Sequence, residues 1–146
     1  MKKLFILSIT LFLCSCKDET QELINDLSGT WKVDEIIYSK TGQTAPDSVV
    51  KYPNSIFQLD QCELTGSIRS CSGFYDLTGT QNIKIVYNAV PDENTTFIAI
   101  MDEEIPKISL LGSYRISQSG NSMTLKGPRA SSPTYQGNTI ELRLKK

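Results

Sequence analysis

No histidine occurs among the 146 residues. That absence excludes the Ser-His-Asp triad, imidazole metal sites and the neutral-pH proton shuttle together. Gly-x-Gly never occurs either, so the glycine-rich phosphate cradles are missing. Neither charge dominates. Fifteen Lys plus Arg stand against 16 Asp plus Glu, a formal charge of −1, which is not the basic footprint of a nucleic-acid binder. The longest apolar run, Leu4 to Leu13, is short of the ~20 residues a membrane-spanning helix needs.

What is present begins at the N-terminus. Lys2 and Lys3 precede the apolar run, and Leu13-Cys14-Ser15-Cys16 follows it. This order resembles the signal and lipobox of bacterial lipoproteins, with a small residue at −1 and an apolar one at −3. Cleavage before Cys14 sets bulky Leu13 at −1, whereas cleavage before Cys16 sets Ser15 there, so Cys16 is the expected acyl acceptor. The resemblance implies a triacylated Cys16. Two chains already make membrane anchoring stable where one does not. Residues 1–15 then leave as signal peptide, taking Lys2 and Lys3 with them. The remainder is one domain's length, with 13 basic against 16 acidic side chains, formally −3. Lys17-Asp18-Glu19 has the composition of a solvated linker. It also resembles the surface-export tag of one group of Gram-negative lipoproteins, which implies an outer-membrane protein facing outward.

Thr20 to Leu27 carries a capping-type Thr and Leu23, Ile24 and Leu27 at helical spacing, so 16–26 is expected as a tether and short helix. From 27 to 146 the chain reads as one β domain. Strands are expected at Thr30–Ser39, Ser55–Glu63, Cys71–Thr78, Asn82–Asn88, Thr95–Met101, Ser109–Ser117, Ser122–Lys126 and Thr139–Lys145, punctuated by Gly, Asn and Pro turns. Alternation such as Ile140/Leu142/Leu144 against Glu141/Arg143/Lys145 gives each strand one apolar face. About eight such strands suggest an all-β, antiparallel up-and-down barrel or a sandwich. Gly127–Gly137 reads as a loop, and Asp102–Leu111 is ambiguous because Pro106 opposes a central strand.

Leu27-Ser28-Gly29-Thr30-Trp31-Lys32-Val33 is similar to the opening of lipocalin-like domains, where a short helix leads into Gly-x-Trp on the first strand. The resemblance implies an eight-stranded barrel with Gly29 at the entry and Trp31 plugging one end. Larger lipocalins place a basic residue near the last strand over the Trp ring. Arg143 is the nearest candidate, but alternation points it away. The closer likeness is to small lipidated lipocalin-like domains of bacterial surfaces.

Once Cys14 leaves and Cys16 is acylated, Cys62 and Cys71 remain, an even pair in an oxidising compartment. A disulfide is expected. A metal pair needs more soft ligands than the chain supplies, and the spacing is not Cys-x-x-Cys. If Trp31 and Val33 face inward, alternation puts Glu35 inside as well, as a ligand contact or a paired core charge, unless the register differs. Tyr75, Tyr87 and Tyr114 either pack the core or line a cavity. Asp102–Glu104 reads as a solvated loop or weak cation site. Asp47-Ser48-Val49 resembles a bacterial O-glycosylation triplet.

No nucleophile motif, cofactor or metal is expected, so the chain reads as non-catalytic. Two readings compete. One is a barrel binding a small apolar or glycan-like ligand. The other is an accessory subunit of an envelope or uptake assembly, with a filled barrel contacting a protein partner. A hollow interior favours the first and a filled one the second.

The lipobox yields a direct expectation. Cys16→Ser should leave a soluble or unprocessed form that takes up no radioactive fatty acid; a labelled mutant would show that acylation occurs elsewhere.

Overall fold

The computed structural model describes residues 18–40, 43, 45–91, 96–103, 108–128 and 138–146. The lipobox with Cys16, Glu104, and residues 129–137 of the expected loop lie outside them.

Among the described residues one helix, α1 (Glu19–Leu27), precedes nine strands: β1 (Gly29–Lys40), β2 (Ser48–Lys51), β3 (Ile56–Leu59), β4 (Cys71–Asp76), β5 (Ile83–Val90), β6 (Thr96–Asp102), β7 (Gly112–Ser119), β8 (Ser122–Pro128) and β9 (Asn138–Lys145). The helix starts one turn signal earlier than Thr20 suggests. Asp18 is its N-cap, and that carboxylate accepts from the Thr20 and Gln21 N–H groups.

From β3 to β9 each strand pairs antiparallel with the next, and β9 pairs with β1. That last pairing closes an eight-stranded up-and-down barrel of lipocalin-like form. The extra strand, β2, was not expected. It pairs with Glu35–Tyr38 of β1, while β3 pairs with Gly29–Trp31, so both lie along one edge of the same long strand. Pro53 falls between them and cannot donate to a ladder. Ser55 fills the gap: its hydroxyl accepts from Val33 N–H (2.8 Å) and donates to Val33 C=O (3.0 Å).

Alternation packs the interior. Trp31, Phe57, Tyr75, Tyr87, Tyr114 and the Ile and Leu residues of six strands form one core. Ile24 and Leu27 of α1 belong to it, so the helix is part of the barrel's packing and not only a tether. It lies over the end where β1 begins. There Gly29 turns from helix to strand at φ 120°, a region open to glycine and costly for other residues. Gly73 serves a different need: a Cβ there would collide with the Gln58 carbonyl of β3.

Trp31 is wholly buried, and its indole N–H donates to Leu27 C=O at 2.9 Å, capping an otherwise orphaned helix carbonyl. The Lys146 ammonium sits 4.5 Å from the indole centroid, within cation–π range. The basic residue over the ring is therefore Lys146, one step past β9. Arg143 points outward, as alternation requires.

Cys62 and Cys71 are disulfide-bonded, with Cα atoms 5.6 Å apart. In the chain-entropy model a bridge closing so short a loop stabilises by about 2.5–3 kcal/mol. Gln21 clamps the same loop to the helix: its amide donates to Cys62 C=O (2.8 Å) and accepts from Leu64 N–H (2.8 Å).

Trp31→Ala should cost about 3–5 kcal/mol, because a cavity opens where the helix, β1 and the chain's last residue meet. Urea melts followed by circular dichroism test this. The sole tryptophan should also emit blue-shifted and be shielded from iodide in the native state.

Candidate functional site

Glu35 lies outside the barrel, contrary to simple alternation from Trp31 and Val33. Val33 pairs with Leu144 and Glu35 pairs with Arg143, which leaves Asp34 as an extra residue in β1. This β-bulge shifts the side-chain phase by one. Ile36 takes the interior position, fully buried, and Glu35 is re-aimed outward. There its Oε1 accepts from Arg143 Nη1 at 2.7 Å. Arg143 also donates to Glu141 (2.9 Å), and Lys126 lies 3.3 Å from Glu141. The wall formed by β8, β9 and β1 is thus laced by ion pairs. Glu141 first, then Glu35, raises the Arg143 pKa.

The three tyrosines face inward and fill the interior. Tyr87 donates to Asp60 C=O (2.7 Å) near the helix end. Tyr75 and Tyr114 donate to Ile108 C=O (2.8 Å) and Leu110 C=O (2.7 Å), near the opposite end. Burial, then the Asp60 charge, pushes the Tyr87 phenol up to about 12. Tyr75 is raised further by burial and then by Asp102. Both stay neutral donors at physiological pH. The segment that Tyr75 and Tyr114 hold buries Leu110 completely. So α1 and Trp31 close one end, Leu110 closes the other, and large aromatic side chains occupy the space between.

Among the described residues Asp102 is the least satisfied group. Its Oδ2 accepts from the Ser109 hydroxyl, while Oδ1 is buried without a hydrogen-bond partner. Burial raises its pKa, outweighing the Ser109 and Tyr75 hydroxyls, which pull it down. Asp76 shows the opposite balance. Burial pulls it upward, but N–H groups of Thr78, Gly79 and Thr80 hold it below the ordinary carboxylate value. Its carboxylate thereby fixes the β4–β5 turn. Glu103, next to Asp102, is exposed, and among the described residues no three acidic or cysteine side chains converge as a metal would require.

Clefts among the described residues lie around the packed interior, three of which bear on function. One of about 260 Å³ opens at the rim, with Thr78, Thr80 and Gln81 beside Tyr75, Leu77, Ile83 and Ile108. A second, about 450 Å³, lies along β4 and β5 with Phe74, Lys84, Ser72 and Glu103 on its walls. The third, about 200 Å³, follows the β1 bulge. The outer faces differ in character. On β5 and β6, Val86 pairs with Met101, Asn88 with Ala99 and Val90 with Phe97. Val90 and Met101 are about half exposed, and Arg115 of β7 lies 5.9 Å from the Phe97 centroid. This wall is apolar where the β9 wall is charged.

Neither family models, characterised proteins nor solved structures match the chain.

Asp102 sets a pH dependence. Its folded pKa lies above the unfolded value, so its stabilising contribution is present below the ordinary carboxylate pKa and lost as pH rises through the folded value. Asp102→Asn should escape that loss. The melting-temperature gap in favour of the variant should widen from about pH 4 towards neutrality; a constant gap would mean that Asp102 titrates normally.

Proposed function

We propose that this protein is a non-catalytic, lipid-anchored outer-membrane lipoprotein of the lipocalin-like kind, whose barrel serves as a solid scaffold presenting its outer wall to an envelope protein. The lipobox at Cys16 and the Lys17-Asp18-Glu19 sequence support the anchor and the outward orientation. The filled interior carries the rest of the reading. A carrier barrel keeps its centre for a ligand. Here Tyr75, Tyr87 and Tyr114 occupy the space between the closed ends, Trp31 fills the helix end, and each polar tip is already bonded to a main-chain carbonyl. Evicting any of them for a ligand would leave a buried donor or carbonyl unpaired, at about 1–3 kcal/mol each. The recognition surface is then outside. The half-exposed Val90 and Met101, with Phe97 and Val86, form the apolar part of that surface. Exposed apolar side chains grouped on one sheet face fit a contact site.

A second reading rests on the rim cleft. Its hydroxyl and amide groups above an apolar floor suit one sugar unit or a similar small polar ligand.

A photo-crosslinking residue at Met101 should give a discrete adduct on intact cells, and the same residue at Lys126, on the charged wall, should give none. Added wild-type protein should compete that adduct away, and added Met101→Glu protein should not. Absence of any Met101 adduct, with amide shifts confined to Thr78–Gln81 on adding oligosaccharide, would replace the partner reading with the ligand one.

A further inference from the structure

The third cleft has a charge that the fold does not balance. It exists because two irregularities coincide: the Asp34 bulge in β1 and the break between β2 and β3 at Tyr52 and Pro53. Val33 lies at its base and is almost wholly buried, while Tyr52 and Pro53 form one side. Lys32, Lys51 and Lys145 line its edges.

Lys32 and Lys145 are direct register partners across β1 and β9, both exposed on the outer face. Like charges directly opposite one another destabilise a sheet. One carboxylate answers them. Asp34 accepts from Lys145 at 2.7 Å, and Lys145 first, with Lys51 and Arg143 behind it, holds Asp34 below the ordinary carboxylate value. Glu35, the register partner of Lys51, has its Oε1 engaged by Arg143. Glu35 and Glu141 together balance Arg143 and Lys126. Three ammonium groups against one carboxylate leave the cleft with two net positive charges, in a chain that is formally −1 overall.

We propose that this cleft binds a phosphoryl group. Lysine ammoniums are flexible point charges, suited to phosphate oxygens, whereas the planar bidentate recognition of carboxylates is arginine's. The bulge supplies the geometry. By adding Asp34 to β1 it swings Glu35 away to Arg143 and leaves Lys32 and Lys145 facing each other with space between β1 and the strand break. The Tyr52 ring and Pro53 give the phosphate's organic substituent an apolar surface. The phosphate comes either from a soluble phosphoester or from a lipid headgroup, and the site is independent of the partner surface on β5 and β6.

The test uses the purified exported protein in neutral detergent micelles, with amide NMR spectra recorded during titration with inorganic phosphate. Saturable shifts confined to Lys32, Val33, Lys51, Tyr52 and Lys145 are expected. Lys32→Gln and Lys51→Gln should each weaken binding up to about fivefold, the range of an exposed charge pair. Asp34→Asn should tighten it, because the competing carboxylate is gone; a merely structural cleft predicts no such gain. Doping the micelles with phosphatidylglycerol separates the sources. If the same amides shift and phosphate no longer titrates, the headgroup is the ligand. If they do not shift, a soluble phosphoester is. Linear, unsaturated shifts spread over all lysines, or an Asp34→Asn variant that binds no better than wild type, would overturn the site.

Discussion

The indole of Trp31 joins three parts of the chain that are distant in sequence. Its N–H caps the last helical carbonyl, at Leu27; its ring fills the helix end of the barrel; and Lys146 lies on its face. An up-and-down barrel has one vulnerable seam, where the first and last strands must find each other across nearly the whole sequence. Here that seam is the long β1–β9 ladder, and Trp31 with Lys146 lies at its end. The Lys146 N–H also donates to Asn121 C=O (2.9 Å), in the β7–β8 turn. Closure therefore removes the free edges that β1 and β9 would expose to other chains in an open sheet. The helix gains a packing partner without which nine residues would be marginal in water.

The bulge at Asp34 gives the barrel two unlike walls. Without it, Glu35 would project into a core of aromatic and branched side chains, where an unpaired carboxylate costs several kcal/mol. With it, Glu35 joins Arg143, Glu141 and Lys126 on the outside, and Ile36 fills the interior. Such exposed pairs contribute little individually to stability. Their effect is on character: this wall is hydrated and charged, while the β5–β6 wall keeps Val90 and Met101 half exposed.

The interior is solid for a related reason. Eight strands enclose a space that side chains can fill or that can hold one small ligand, and here tyrosine is long enough to reach a main-chain carbonyl near either end. Tyr75 and Tyr114 bond the segment before β7, and Tyr87 bonds the loop after β3. Each thereby satisfies its own hydroxyl and tethers an irregular segment. Asp102, with one buried oxygen unpartnered, is the exception, and it adjoins this same segment.

Alternating apolar residues, turn signals and the Gly29-Thr30-Trp31 entry were enough to specify eight of the nine strands, the helix, the antiparallel order and the pairing of Cys62 with Cys71. These are local or periodic signals, and each acts within a few residues. Three features were decided only in the folded chain. Strand β2 has four exposed residues and no alternating burial, so nothing in its pattern announces it; it forms because β1 offers an unpaired edge. The outward turn of Glu35 depends on the register between β1 and β9, set by contacts more than a hundred residues apart. Whether tyrosines line a cavity or fill one depends on where carbonyls of other segments arrive, and Lys146 rather than Arg143 covers Trp31 because the chain continues one residue past β9. Period and turn chemistry are written along the chain. Phase, closure and occupancy are relations between strands, fixed when the sheet curls onto itself.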